Sequence, residues 1–308
     1  MYLEYFDRFK DMKPYFCIEE YEWSYILETF DKDDVKETLA DVLMEYPIPY
    51  PEITEDTLHR EYMNLKGVKY PDLLVEDNWY TKQDAYNYDL TYDGKQLYFR
   101  RNNVGNASSN YFQVKNRWSV SGTACPGPER TWNTREFMIT LMGAMYSMKF
   151  THMDEKILRT MIGIRKYICS QFKPNVAKCI YDYFKSENVL DFSMGWGDRL
   201  AGFYTSDAEE YIGCDPNPNT FLKYYKQIET YEKFLGNTDV KIHAGQTTKD
   251  SPSFIGVDGK KKVRIYRCGA EDLPWDEINN VDCAFTSHLI LVQKNIICLL
   301  YTSDAADE

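Results

Sequence analysis

The chain has 308 residues, a net charge of −12, and 27 % charged against 44 % hydrophobic residues. At roughly 100–200 residues per domain this predicts one large domain or two medium ones, and the apolar share excludes wholesale disorder. No apolar run reaches the ~18 residues of a membrane span, the N-terminus is charged where a signal peptide is apolar, and the eight cysteines are scattered without a C-x-x-C pair, which predicts a cytoplasmic, reducing setting with no membrane, disulfide framework or metal site.

Charge is uneven along the chain. Residues 1–100 carry a net −12, residues 101–190 a net +7 and residues 191–308 a net −7. A basic middle in an acidic chain predicts one face that meets a polyanion.

In chain order, the first half reads as helices and loops. Val35, Leu39, Val42 and Leu43 form one apolar stripe of a helix, and the run from Pro47 to Pro51 ends it. Within the basic stretch, Arg100 to Asn103, Asn106 to Asn110 and Lys115 to Trp118 combine bases, amides and aromatics. Such a set holds phosphates and touches base edges, so Arg101, Lys115, Arg117 and Trp118 are candidate nucleic-acid contacts; a solvated loop beside a core tryptophan is the alternative. A further helix is expected from Asn133, with Glu136 three residues on, and its stripe Met138, Leu141, Met142, Met145 and Met148 reads as core filler.

Residues 155–186 read as two helices broken at Pro174. From Val189 the pattern changes to short β-like runs alternating with helices: NVLDF, EYIGCD, a helix from Pro218 to Leu235, VRIYRC and VDCAFTS. That alternation predicts an α/β domain with a parallel sheet. The polar, glycine-bearing stretch from Val240 to Lys262 reads as an insertion or hairpin.

The segment from Val189 to Asp198 places a strand, a turn with small residues and a helix in succession. Small residues let the backbone approach a ligand and let the helix start point at it. Asp215, at the end of the next strand, is placed to accept hydrogen bonds from ribose hydroxyls. A dinucleotide needs a third small residue, and the G-x-G-x-x-G count from Gly195 puts Leu200 there. The alternative ligand, S-adenosylmethionine, has no phosphate.

Asp191-Phe192-Ser193-Met194-Gly195-Trp196-Gly197 resembles the first motif of S-adenosylmethionine-dependent methyltransferases, Tyr211 to Asn217 their second and Gly269 to Asp272 their third. Gln171-Phe172-Lys173-Pro174 is similar to the segment that precedes the first motif in adenine methyltransferases, and Val281 to Ser287 to the strand entering the catalytic motif of DNA amino-methyltransferases. The resemblance covers residues 165–287. It implies a Rossmann-like methyltransferase domain. Phe172 and Pro174 would pack on the methionine moiety, and Asp191, Phe192, Ser193, Gly195 and Gly197 would form the methionine-side turn. Asp215, with Pro216 and Asn217, would meet the ribose, and Glu271 or Asp272 the adenine. Thr286 and Ser287 would stand at the catalytic position, accepting hydrogen bonds from a target amine on an extruded base.

That family continues with Pro-Pro and an aromatic residue; here Ser287 is followed by His288-Leu289-Ile290-Leu291. Deleting one base from codons for Ser-Pro-Pro-Tyr-Phe yields this sequence, so residues 288–297 read as a frameshifted copy of that motif. Residues 298–308 resemble the translation of a transposase adapter used in sequencing libraries and are expected to lie outside the fold. The expected organisation is a mostly helical region at 1–160 that helps recognise DNA, a truncated methyltransferase domain at 161–297 and the adapter-like tail. The expected function is methyl transfer from S-adenosylmethionine to an exocyclic amine of adenine or cytosine in DNA, with a restriction nuclease as companion. The chain as written is expected to be inactive and poorly stable, with an exposed edge strand. The alternatives are a methyltransferase for RNA, protein or a small molecule, and a non-catalytic nucleic-acid-binding relic.

Overall fold

The computed structural model describes residues 3–76, 85–92, 95–100, 102–122, 125–165, 168–245 and 253–285. In order they form α1 (Glu20–Thr29), α2 (Lys32–Leu43), α3 (Glu55–Gly67), α4 (Tyr70–Leu73), β1 (Leu74–Glu76), β2 (Ala85–Tyr92), β3 (Lys95–Arg100), α5 (Asn106–Ser119), α6 (Pro128–Trp132), α7 (Arg135–Met148) and α8 (Glu155–Ile164). Then follow α9 (Pro174–Phe184), β4 (Asn188–Asp191), α10 (Asp198–Thr205), β5 (Glu210–Cys214), α11 (Pro218–Phe234), β6 (Ile242–Gly245), β7 (Ser253–Asp258), β8 (Lys262–Arg267) and β9 (Cys283–Ala284). The chain is α/β, and no helix among the described residues is long and apolar enough to cross a membrane.

Two compact units emerge, each built from two chain segments: Met1–Glu52 with Val114–Cys169, and Ile53–Gln113 with Ser170–Glu308. This differs from a linear boundary near residue 160, because α3 to β3 and the first half of α5 belong with the sheet-bearing part.

The first unit is helical. Asp31 caps α2 by accepting from the Asp33 and Asp34 amides at 2.8 and 3.3 Å, and the stripe Val35, Leu39, Val42 and Leu43 is fully buried, as its spacing predicts. Helix α7 starts at Arg135 behind Thr134, which makes no side-chain cap, rather than at Asn133. Met138, Leu141, Met142 and Met145 are core residues, whereas Met148 is exposed.

The second unit holds both sheets. The small one, ordered β1-β3-β2, is antiparallel and lies where the sequence suggested helices and loops. The large mixed sheet is ordered β6-β7-β8-β5-β4-β9. Strands β8, β5, β4 and β9 are mutually parallel, and β6 and β7 form the expected hairpin at the β8 edge. Strand residues alternate between two apolar faces: Val189, Tyr211, Val263 and Ile265 join one cluster, and Leu190, Ile212, Cys214 and Tyr266 another. After β4, the chain steps through β5 to β8 on one side and then returns to place β9 on the other. The carboxyl ends of β4 and β9 therefore flank the point where the strand order reverses.

Candidate functional site

The loop from β4 to α10 begins at Asp191, whose side chain has no exposed surface. Arg199 grips it with two hydrogen bonds, Nε to Oδ2 at 2.7 Å and Nη2 to Oδ1 at 3.0 Å. The Tyr211 hydroxyl donates to Oδ2 at 2.6 Å and the Ser193 amide to Oδ1 at 3.1 Å. Four donors fill the four acceptor positions of a carboxylate, so Asp191 has none left for a ligand ammonium. Its role here is to anchor the turn. Burial works against the Arg199 charge, the Asp191 carboxylate outweighs it, and the guanidinium is held above its ordinary pKa. Burial, reinforced by Asp191, raises the Tyr211 phenol well above its usual range and keeps it a donor.

Gly195 and Gly197 adopt φ of 59° and 74°, the left-handed region open to glycine. A Cβ on Gly197 would sit 2.3 Å from Gln227 Oε1, so position 197 excludes side chains twice over. Their carbonyls are held from α11: the Tyr224 hydroxyl donates to the Gly195 oxygen at 2.6 Å, and Gln227 Nε2 to the Gly197 oxygen at 2.8 Å. The Arg199 guanidinium also donates to the Ser193 carbonyl.

Four of the turn's amides are spent as well. Ser193 N–H goes to Asp191, Met194 N–H to the Cys214 carbonyl at 3.1 Å, Gly195 N–H to Asp215 Oδ2 at 2.8 Å, and Gly197 N–H to the Met194 carbonyl at 3.2 Å. Asp215, at the tip of β5, further accepts from the Asn217 amide at 2.9 Å and the Thr220 hydroxyl at 3.2 Å, both on Oδ1. One acceptor position, on Oδ2, is open among the described residues. Burial raises the Asp215 pKa above the ordinary 3.8, and its N–H and hydroxyl donors pull the other way.

Around this turn, Phe172 lies edge-on to Phe285 at 5.5 Å, and the Arg199 guanidinium stands 5.4 and 5.8 Å from the two ring centroids. Pro174 is the first residue of α9 and buried. The Trp196 indole donates to the Ser170 carbonyl at 3.0 Å. Phe192 is half-buried and Ser193 buried, Pro216 is exposed, and Asn217 caps α11 through the Asn219 amide at 3.0 Å. Glu271 and Asp272 are exposed on a short 3-10 turn just beyond β8. The Phe285 amide bonds to the Leu190 carbonyl at 2.8 Å, which brings position 285 to the β4 tip. Thr286 and Ser287 lie outside the described residues, as does Arg101.

The remaining nucleic-acid candidates do not share one surface. Lys115 is exposed, its ammonium 5.5 Å from the Tyr50 ring centroid. Arg117 is buried, with Nε and Nη2 on the Cys169 carbonyl at 3.0 and 2.7 Å, and Trp118 is buried against Tyr50. Among the described residues, no group of three or more His, Cys, Asp and Glu gathers to hold a metal.

Sequence reasoning missed the residues that hold the turn from α11. Their signal was present: Thr220, Tyr224, Gln227 and Tyr231 recur at i, i+4, i+7 and i+11, a polar stripe on one helix face, and all are buried. No family model, no curated protein and no solved structure matches the chain.

Proposed function

We propose that the second unit is a Rossmann-like methyltransferase domain that binds S-adenosylmethionine at the tips of β4 and β5. The reaction we propose is methyl transfer to an exocyclic amine of adenine or cytosine in DNA. The observation that carries the choice of ligand is the hydrogen bonding of the turn. Glycine turns that hold a dinucleotide aim unpaired amides at its pyrophosphate. Here the amides of Ser193, Met194, Gly195 and Gly197 are bonded within the protein, and a carboxylate, Asp198, stands at the first position of the helix that follows. That arrangement supports a ligand without phosphate.

The parallel order β8-β5-β4-β9 matches the 3-2-1-4 sequence of doubly wound sheets, whose ligands sit at the carboxyl ends where the order reverses. Asp215 would accept one ribose hydroxyl at its open Oδ2 position, and Glu271 or Asp272 the adenine amine. Phe172 and Phe192 would supply apolar contact. The bound ligand would supply an electrophilic methyl group on a sulfonium. Asp191 and Arg199 would hold the turn in shape, and Thr286 and Ser287 would orient the target amine. DNA as the substrate rests on the resemblance at 281–287 and on the net +7 of residues 101–190.

The test is thermal unfolding with added ligand, because a ligand that binds only the folded state stabilises it by about 2.7 kcal/mol at a hundredfold excess over Kd. S-adenosylmethionine and S-adenosylhomocysteine should raise the midpoint, and NAD should not. A rise with NAD alone refutes the reading.

A further inference from the structure

The first half of α5 is bonded to both ends of the frame that holds the glycine turn. At the α10 end, the Ser109 hydroxyl donates to the Asp198 carboxylate, beside Gly197. Gln171 Nε2 reaches the same Asp198 oxygen at 2.8 Å, the Asn106 carbonyl at 3.0 Å and Ser109 Oγ at 3.3 Å. At the α11 end, Gln113 Nε2 donates to the Thr220 carbonyl at 3.3 Å, and the Thr220 hydroxyl is one of the three donors on Asp215. Between them, the Tyr231 hydroxyl donates to the Ser108 carbonyl at 3.0 Å.

Ser109 and Gln113 are four residues apart, hence on one helix face, and both are fully buried. A face that only packed would be served by apolar residues, since a buried polar group is costly unless bonded. Here Ser109 is used on Asp198 itself and Gln113 on Thr220, whose hydroxyl reaches Asp215. Asn106 Oδ1, at the first residue of the same helix, is buried with no hydrogen-bond partner among the described residues. A buried acceptor of this kind takes a donor from water or a ligand.

We infer that residues 106–113 brace the ligand site from behind, with Ser109 positioning Asp198 and Gln113 positioning Asp215 through Thr220. The inference rests on the ligand reading above. It brings into the site a segment far upstream of the glycine turn in sequence, one that the sequence alone assigns to DNA recognition.

The experiment compares the full chain with Ser109→Ala, Gln113→Met and, as a control on an exposed α11 position, Lys223→Ala. Amide hydrogen exchange is read without ligand, and S-adenosylmethionine affinity by calorimetry. Exchange at the Gly195 and Gly197 amides should quicken in the first two variants by more than at the Ile212 and Ile265 amides, and by more than the fall in the unfolding midpoint accounts for. Affinity should fall by roughly fivefold in each, the size of one hydrogen bond. Ser109→Thr, which keeps the hydroxyl, should restore both readings. Unchanged exchange at the turn in both variants overturns the inference, and so does a quickening spread evenly over the turn and the strands. Absence of binding by the unaltered chain refutes the ligand reading alone, because the exchange pattern still decides whether α5 positions the turn.

Discussion

Replacing Arg199 by methionine keeps the length of the side chain and removes its charge. The Asp191 carboxylate, with no exposed surface, then loses two of its four donors, and the Ser193 carbonyl loses its guanidinium partner. Among the described residues, the Tyr211 hydroxyl and the Ser193 amide are what remain on the buried charge. Removing one partner of a buried, hydrogen-bonded ion pair costs about 3–5 kcal/mol. Against a typical total stability of roughly 5–15 kcal/mol that is about a fifth or more of the whole. Urea unfolding followed by circular dichroism should show the midpoint falling with an unchanged slope. Asp191→Asn combined with Arg199→Met should recover part of the loss, because the stranded charge goes with its partner. A cost below about 1 kcal/mol for Arg199→Met would falsify the claim that this pair anchors the turn.

Gly197→Ala should cost more than Gly195→Ala in the same assay. Both meet left-handed strain of about 1–2 kcal/mol, but only position 197 also collides with Gln227; equal costs would remove Gln227 from the account. Lys261 donates to the Phe203, Ser206 and Ala208 carbonyls at 3.0, 2.7 and 2.6 Å, and burial pushes its pKa down to about 8 from 10.5. Between those values the unfolded chain binds more protons than the folded one, so stability rises with pH. Relative to Lys261→Met, the unaltered chain should therefore gain up to about 2 kcal/mol from pH ~7 to ~9.5, and a flat difference contradicts the shift. Trp118→Ala should destabilise the helical unit by about 3–5 kcal/mol. If Trp118 instead contacts DNA, that variant will weaken binding at temperatures where it remains folded.

The strand, turn, helix and acid from Val189 to Asp215 were readable because each is a local pattern: a short apolar run, small residues at a sharp turn, an acid at a strand end. The bounds of α11 were readable for the same reason, since Asn217-Pro218 marks a helix start. Strands β1 to β3 were not read, although Asp93-Gly94, a pair favoured at two-residue hairpin turns, stands in the sequence between β2 and β3. The lesson at Asp191 is different in kind. Its place at the strand tip was evident, but its commitment to Arg199 and Tyr211 depends on how α10 and β5 pack, and no spacing rule reports that. Arg117 and Trp118 show the same limit. A basic residue beside an aromatic one reads alike on a surface and in a core, and the Cys169 carbonyl that takes up Arg117 comes from a distant part of the chain.

On the proposed reading, the tips of β4 and β5 hold S-adenosylmethionine with Asp215 on the ribose. Calorimetric titration at neutral pH of the unaltered chain and of Asp215→Asn tests it most directly. Binding at one site should weaken by about tenfold in the variant, or ~1.4 kcal/mol, because asparagine turns a donor toward the Gly195 amide and the ribose hydroxyl. No heat from the unaltered chain, or equal affinity in both proteins, would contradict it.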